Sequence, residues 1–206
     1  MTERAKKIKV GPGNDPETEM GPLVSTQQLK TVTDYIEIAK KEGAKLAYGG
    51  NVLTGGKYGQ GYYVEPTLFV DVKPEMRIVQ EEIFGPLLPI LTFQSIDEVI
   101  CQIKQHEKPL ALYLFSLDAE TEKKVLTDIS FGGGCINDCL LQIANPHLPF
   151  GGVGASGQGS YHGKYSFDTF THQKSIYKKS ILVETRLEYA PYSKRKWWWL
   201  KKLLNI

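Results

Sequence analysis

Apolar residues first recur at helical spacing at Leu29, Val32, Ile36 and Ala39. Ser25 and Gln28 precede them as a capping box, and Gly43 stops the run. Ala44 to Tyr48 follows as a short strand closed by Gly49-Gly50, and the glycine-rich stretch Leu53 to Gly61 is a surface connection. Tyr62 to Val72 is rich in β-branched and aromatic residues, with Pro66 marking an irregularity. Leu87 to Phe93 is a continuous apolar run, which predicts a strand buried on both faces. Ser95 with Glu98 forms a second capping box, opening a helix with the stripe Ile96, Val99, Ile100 and Ile103. Leu110 to Ser116 is a further buried strand. Asp118 caps a third helix with Glu120 and Glu122 in its first turn and Val125, Leu126 and Ile129 inward. Gly133 to Asn137 is the last short strand of this series.

Strand, helix, strand, helix, strand at this spacing predicts right-handed crossovers and an α/β fold with a mainly parallel sheet covered on both faces. From about Leu140 the pattern becomes that of a loop, and Ser166 to Val183 resumes strand-like alternation. A sheet preceded only by a charged, helical start at residue 2 is expected to lack its first half. Its open edge and apolar faces predict an oligomer or poor solubility.

Composition narrows the class. The chain has 206 residues, 41% hydrophobic and 23% charged, which is ordinary globular material. No apolar run approaches the roughly 18 to 20 residues of a membrane span, and the charged start is no signal peptide. Cys101, Cys135 and Cys139 are an odd number without framework spacing, so they read as thiols of a reducing compartment, used as small apolar residues. That places the chain in the cytoplasm. His106, His147, His162 and His172 show no metal-ligand spacing. The net charge of +2 hides an asymmetry: residues 186–206 hold six basic residues against Glu188, or +5, while residues 1–185 carry −3. That body is no nucleic-acid binder by charge.

Four strings carry candidate chemistry. Gly152-Val153-Gly154-Ala155-Ser156-Gly157 matches a dinucleotide fingerprint literally. Pro146 to Phe150 before it is a poor strand and the residues after it a poor helix, so it reads as a close-packed structural loop. Glu81-Glu82-Ile83-Phe84-Gly85-Pro86 places two carboxylates and an aromatic ahead of a strand. A carboxylate there can accept two hydrogen bonds from a diol, with the ring against a flat heterocycle; the same string also fits a solvated acidic turn with one core aromatic. No base or cation stands near the three cysteines in sequence, which makes them inert. The tail Lys194-Arg195-Lys196-Trp197-Trp198-Trp199-Leu200-Lys201-Lys202-Leu203-Leu204 fits an amphipathic segment at a membrane surface. It fits equally a helix docked on the rest of the protein or on a second subunit.

Glu81 to Pro86, Lys108 to Ser116, Leu148-Pro149-Phe150-Gly151-Gly152, Ser156-Gly157-Gln158-Gly159 and Tyr161-His162-Gly163-Lys164 together resemble the aldehyde dehydrogenase superfamily. From about residue 60 the chain is most similar to the class 3 type, which acts on fatty and aromatic aldehydes; residues 8–50 are more similar to the betaine-aldehyde and retinal types. The resemblance implies a three-layer α/β sandwich with an oligomerisation arm: residues 1–160 as the remainder of a catalytic domain, 161–185 as the arm and 186–206 as a basic aromatic tail. Glu82 matches the carboxylate that holds the nicotinamide ribose of NAD or NADP, and Phe84 the aromatic beside it. Phe150 matches a lining residue of the aldehyde pocket. Leu140, Ile143 and Ala144 fall at the pocket mouth, and Asn137 matches an asparagine supporting nearby loops. Thr169 to Val183 resembles the arm that pairs with a neighbouring subunit. The family's nucleotide-binding domain, nucleophilic cysteine and general-base glutamate all precede the segment resembled. The chain is therefore expected to be the C-terminal part of such an enzyme, inactive alone, acting as a homo-oligomer or with the missing half. The alternative is a non-catalytic oligomerisation or membrane-associated module.

Overall fold

Ser25 opens the longest helix as predicted: its Oγ accepts the backbone N–H of Gln28 at 3.1 Å. The computed structural model describes residues 1–182 and 186–205, and divides into two compact units, Met1–Cys101 and Gln102–Ile206. In the first, α1 (Thr2–Ala5) and α2 (Thr26–Lys41) precede β1 (Lys45–Tyr48), β2 (Val52–Leu53), β3 (Tyr63–Val64) and β4 (Thr67–Val70). Next come α3 (Arg77–Gln80) and β5 (Leu87–Pro89), and α4 (Ile96–Gln105) runs across the division. Pro66 splits the predicted Tyr62–Val72 strand into β3 and β4. A sheet runs in the order β1-β4-β5, with β1 antiparallel and β5 parallel to β4; β2 and β3 form a separate antiparallel pair. The helix α2 lays Val32, Ile36 and Ala39 over Val64 and Phe69, and Ile78 and Ile83 close the same core.

The apolar run at Leu87 needs correction. Only Leu87–Pro89 is strand, it pairs with β4 alone among the described residues, and Leu88 is 48% exposed. A run of apolar residues records side-chain chemistry but not how many neighbours a strand has. The capping box at Ser95 is present in altered form: Ser95 Oγ accepts the Glu98 N–H at 3.3 Å, while Glu98 returns to the N–H of Gln94 rather than of Ser95.

In the second unit β6 (Ala111–Leu114), α5 (Ala119–Asp128) and β7 (Gly133–Ile136) form a parallel crossover, with Ala111 opposite Gly133 and Leu114 opposite Ile136. The short α6 (Leu141–Ala144), α7 (Gly163–Phe170) and the tail helix α8 (Lys194–Leu204) follow. The α/β class therefore holds, with parallel and antiparallel ladders both present. Three expectations change here. The Leu110–Ser116 strand is only partly buried, with Leu110 and Phe115 exposed. Leu126 faces outward while Val125 and Ile129 are buried. Ser166 to Phe170 is helix: Ser166 Oγ accepts the His162 N–H at 2.9 Å, and Lys164 pairs with Asp168 one turn on. That helix also shows the stretch after the glycine loop to be a competent helix former. Residues 171–182 contain no strand and are mostly exposed; Val183 of the expected arm lies outside the described residues.

Asp118 caps α5 by accepting the N–H groups of Glu120 and Thr121, at 3.4 and 3.0 Å. The Thr121 hydroxyl and backbone hold its carboxyl below the ordinary aspartate range. A folded-state pKa below the unfolded one contributes stability above the unfolded value, and that stability disappears as pH falls through the folded value. Asp118→Ala is expected to destabilise this unit at neutral pH by loss of the cap. Urea unfolding should show the difference between variant and parent shrinking in acid; a difference independent of pH would dismiss the cap.

Candidate functional site

The turn after α3 separates two adjacent carboxylates by what each one touches. Arg77, one helical turn back, donates to Glu81 through Nε at 3.0 Å and Nη2 at 3.2 Å, and the Tyr35 hydroxyl from α2 donates to the same carboxylate. The guanidinium also lies 5.5 Å from the centre of the Tyr35 ring. These partners hold Glu81 below the usual carboxylate range, Arg77 foremost, and the bond to Glu81 pushes the Tyr35 phenol up. Glu82 next door is exposed, and no hydrogen bond or ion pair engages its carboxylate among the described residues. Glu81 is committed to structure. The Glu82 carboxylate is left unengaged among the described residues.

The turn beyond Glu82 is held from behind. Ile83 is buried, whereas Phe84 is 80% exposed with φ of 55°, a left-handed conformation that costs a bulky residue about 1–3 kcal/mol. Gln28 on α2 stabilises it: Nε2 donates to the carbonyls of Ile83 at 2.6 Å and Phe84 at 3.0 Å. Gly85 sits so close to α2 that a Cβ there would fall 2.4 Å from Val32 Cγ2. The sequence pattern predicts Gln28 as half of a capping box. Its backbone fills that part, but its side chain spans 55 residues to the turn, which no local pattern signals.

In the second unit Phe150 bridges to Tyr161 through paired backbone bonds of 2.9 Å. Its ring meets that of Tyr161 edge-on at 5.4 Å and stacks on His162 at 5.9 Å. It borders a cavity of about 350 Å³ with Leu110, Tyr161, Phe170 and the glycine loop. That loop is packed backbone on backbone: a Cβ at Gly151 would lie 2.1 Å from the Gly159 carbonyl oxygen, and one at Gly152 2.1 Å from that of Ser156. The Gly157 N–H bonds to Gly154 across a single 3-10 turn, Gly154–Ser156, and α7 begins only at Gly163, so the fingerprint glycines do not open an α-helix. Leu140 and Ala144 are exposed, Ile143 is half-buried, and none of the three borders the Phe150 cavity. Asn137 ties the ends of β6 and β7 together, its Oδ1 accepting the Ser116 N–H at 2.9 Å and its Nδ2 donating to the Ser116 carbonyl at 2.7 Å.

The cysteines divide differently from expectation. Cys101 and Cys139 are exposed rather than used as small core residues. Half-buried Cys135 donates its thiol to Gln142 Oε1 at 2.9 Å, and Gln142 Nε2 donates to the Tyr113 hydroxyl at 3.0 Å. An amide oxygen neither deprotonates a thiol nor stabilises a thiolate, so this contact gives Cys135 none of the activation a nucleophile needs. Buried Gln142 escaped sequence reasoning; a glutamine in an otherwise apolar Leu140–Ala144 segment was the available signal.

The family model described as "Aldehyde dehydrogenase family" matches residues 1–176. The chain belongs to the aldehyde dehydrogenase family. It is 55% identical over 175 residues to the 4,4'-diaponeurosporen-aldehyde dehydrogenase of Staphylococcus aureus, covering 84% of this chain and 36% of that protein. It is 45% identical over 184 residues to aldehyde dehydrogenase family 3 member A2 of Rattus norvegicus, covering 88% and 36%. These relatives support the class 3 likeness. Among solved structures, the NAD+ complex of aldehyde dehydrogenase from Bacillus cereus superposes with a TM-score of 0.77 at 41% identity, over 85% of this chain and 34% of that one. This aldehyde dehydrogenase chain thus spans about a third of the length of the relatives it matches.

Proposed function

We propose that this chain forms the C-terminal part of an NAD- or NADP-dependent aldehyde dehydrogenase that oxidises aldehydes to carboxylates. In this reading the Glu82 carboxylate accepts both hydroxyls of the nicotinamide ribose, and Phe84 lies beside the ring. Phe150 lines the aldehyde pocket, with Leu140, Ile143 and Ala144 at its mouth and Asn137 holding the adjacent strand ends. A bound nicotinamide supplies the hydride acceptor; these side chains bind and orient. None of Cys101, Cys135 and Cys139 is the nucleophile, so these 206 residues alone do not oxidise an aldehyde. The three-layer sandwich and the pairing of the Thr169–Val183 arm with a neighbouring subunit belong to the same proposal. The exposed apolar residues Ile176, Tyr177, Ile181 and Leu182 support that pairing. Family membership favours this enzymatic reading over a non-catalytic module.

The observation that carries it is the contrast between the two carboxylates: Glu81 is fully engaged, and Glu82 stands free beside a clamped, outward-facing aromatic. Hydrogen bonds to a charged group contribute about 1.5–3 kcal/mol. Glu82→Gln is therefore expected to weaken NADH binding by about tenfold or more in a fluorescence titration, with circular dichroism unchanged. Identical affinity in parent and variant would end the ribose assignment.

A further inference from the structure

The geometry of the tail helix bears on the two readings left open by its sequence. Ser193 caps α8, its Oγ accepting the Lys196 N–H at 3.3 Å, and no residue of α8 is buried. Trp197, Trp198 and Trp199 are between 45% and 56% exposed, and Leu203 and Leu204 more so. The helix therefore buries none of its residues among the described residues of its unit. At about 100° per residue, Trp199, Leu203, Leu200, Leu204 and Trp197 share an apolar arc of about 160°. Lys194, Arg195, Lys201 and Lys202 occupy the opposite side, with Trp198 among them. The one cation inside the apolar arc, Lys196, is turned back along the chain: its Nζ donates to the Tyr189 carbonyl at 2.9 Å.

The cations and rings are also joined. Lys201 lies 5.7 Å from the Trp197 ring, and Lys202 lies 5.3 and 5.8 Å from those of Trp198 and Trp199. Each ammonium thereby stays at the boundary between the ring and water, the level at which indoles and lysine stems rest in a lipid interface. No helix of the described residues is long and apolar enough to cross a membrane, so the contact suited to α8 lies in the surface plane. With five basic residues and no acidic one, α8 repels a second α8 and attracts an anionic surface.

We infer that α8 is a peripheral anchor that lies in the headgroup layer of a bilayer rich in anionic phospholipid, independently of any cofactor role. The chain's three tryptophans all sit on α8, so their emission reports this helix alone. The full-length chain is to be mixed with vesicles of equimolar phosphatidylcholine and phosphatidylglycerol, and with vesicles of phosphatidylcholine alone. Co-sedimentation and a blue shift of tryptophan emission are expected with the anionic vesicles. Partitioning should fall at least about a hundredfold when Lys194, Arg195, Lys201 and Lys202 are all changed to Gln. Combining Trp197→Ser, Leu200→Ser and Leu204→Ser should remove sedimentation while leaving the unfolding midpoint of the chain unchanged. Equal partitioning into both vesicle types, or sedimentation unaffected by either set of changes, would overturn the inference. So would light scattering that shows a dimer without lipid, dissolved by the serine changes, since α8 would then be an interface between copies.

Discussion

Phe69→Ala is expected to cost the first unit about 3–5 kcal/mol, the largest single-residue loss in residues 1–101. Phe69 is 0% exposed and sits on β4, the middle strand of its sheet, with Leu46 and Pro89 opposite on either side. Its ring closes the cluster formed by α2, β3, Ile78 on α3 and Ile83 in the turn beyond it. Truncation removes apolar area from the core and leaves a cavity that rigid neighbours fill only in part. Against a total stability of about 5–15 kcal/mol, such a loss brings the unit to the edge of unfolding. It also reaches the candidate site, because Ile83, the residue after Glu82, packs in the same cluster. Chemical denaturation followed by far-UV circular dichroism checks the magnitude, with Phe84→Ala as the comparison. Phe84 is 80% exposed, and its loss should change stability by no more than about 0.5 kcal/mol. Similar costs at both positions would mean that the core has been wrongly located.

Gly132→Ala should destabilise the second unit by about 3 kcal/mol, at the upper end of overpacking effects. A Cβ at this position would lie 2.4 Å from the Gly151 carbonyl oxygen, 2.6 Å from that of Leu110 and 3.0 Å from Gly152 Cα. All three are backbone atoms of two different segments, so no side chain can rotate away and the start of β6 and the glycine loop must separate. The cost is one of space, since Gly132 has no left-handed φ. Gly159→Ala offers the contrast: its φ is 79° and nothing lies within 4 Å, which leaves only a conformational cost of about 1–2 kcal/mol. Hydrogen exchange should show Gly132→Ala loosening residues 110–114 and 150–161 together, because the Phe150 cavity shares the displaced loop. Protection unchanged in both segments would show that they are not held against each other through this glycine.

Local rules located most of the elements. Ser25, Ser95 and Asp118 each start a helix because a cap acts over three residues, all adjacent in the chain. Pro66 interrupts its strand for an equally local reason, the missing backbone donor. Burial was less legible. Leu87–Pro89 and Ala111–Leu114 carry core-like chemistry, yet exposure depends on which elements lie alongside, and that is a property of the assembled layers. Ser166–Phe170 has residues that suit a strand, and contacts within one turn, from Ser166 to His162 and from Lys164 to Asp168, make it helical instead.

The order of separated motifs was enough to assign the aldehyde dehydrogenase family, because such strings survive as sequence whatever surrounds them. By itself the chain also determined where α2, α4 and α5 begin, that its class is α/β, and that its positive charge gathers at the tail. Tertiary structure alone decided which of the neighbouring carboxylates is spent, since Tyr35 reaches Glu81 from 46 residues away. It alone decided that Gln28 clamps the turn at Phe84, and that the tryptophans of α8 face outward. A side chain's type is written in the chain, but its partner is chosen by the fold that brings distant residues within hydrogen-bond reach.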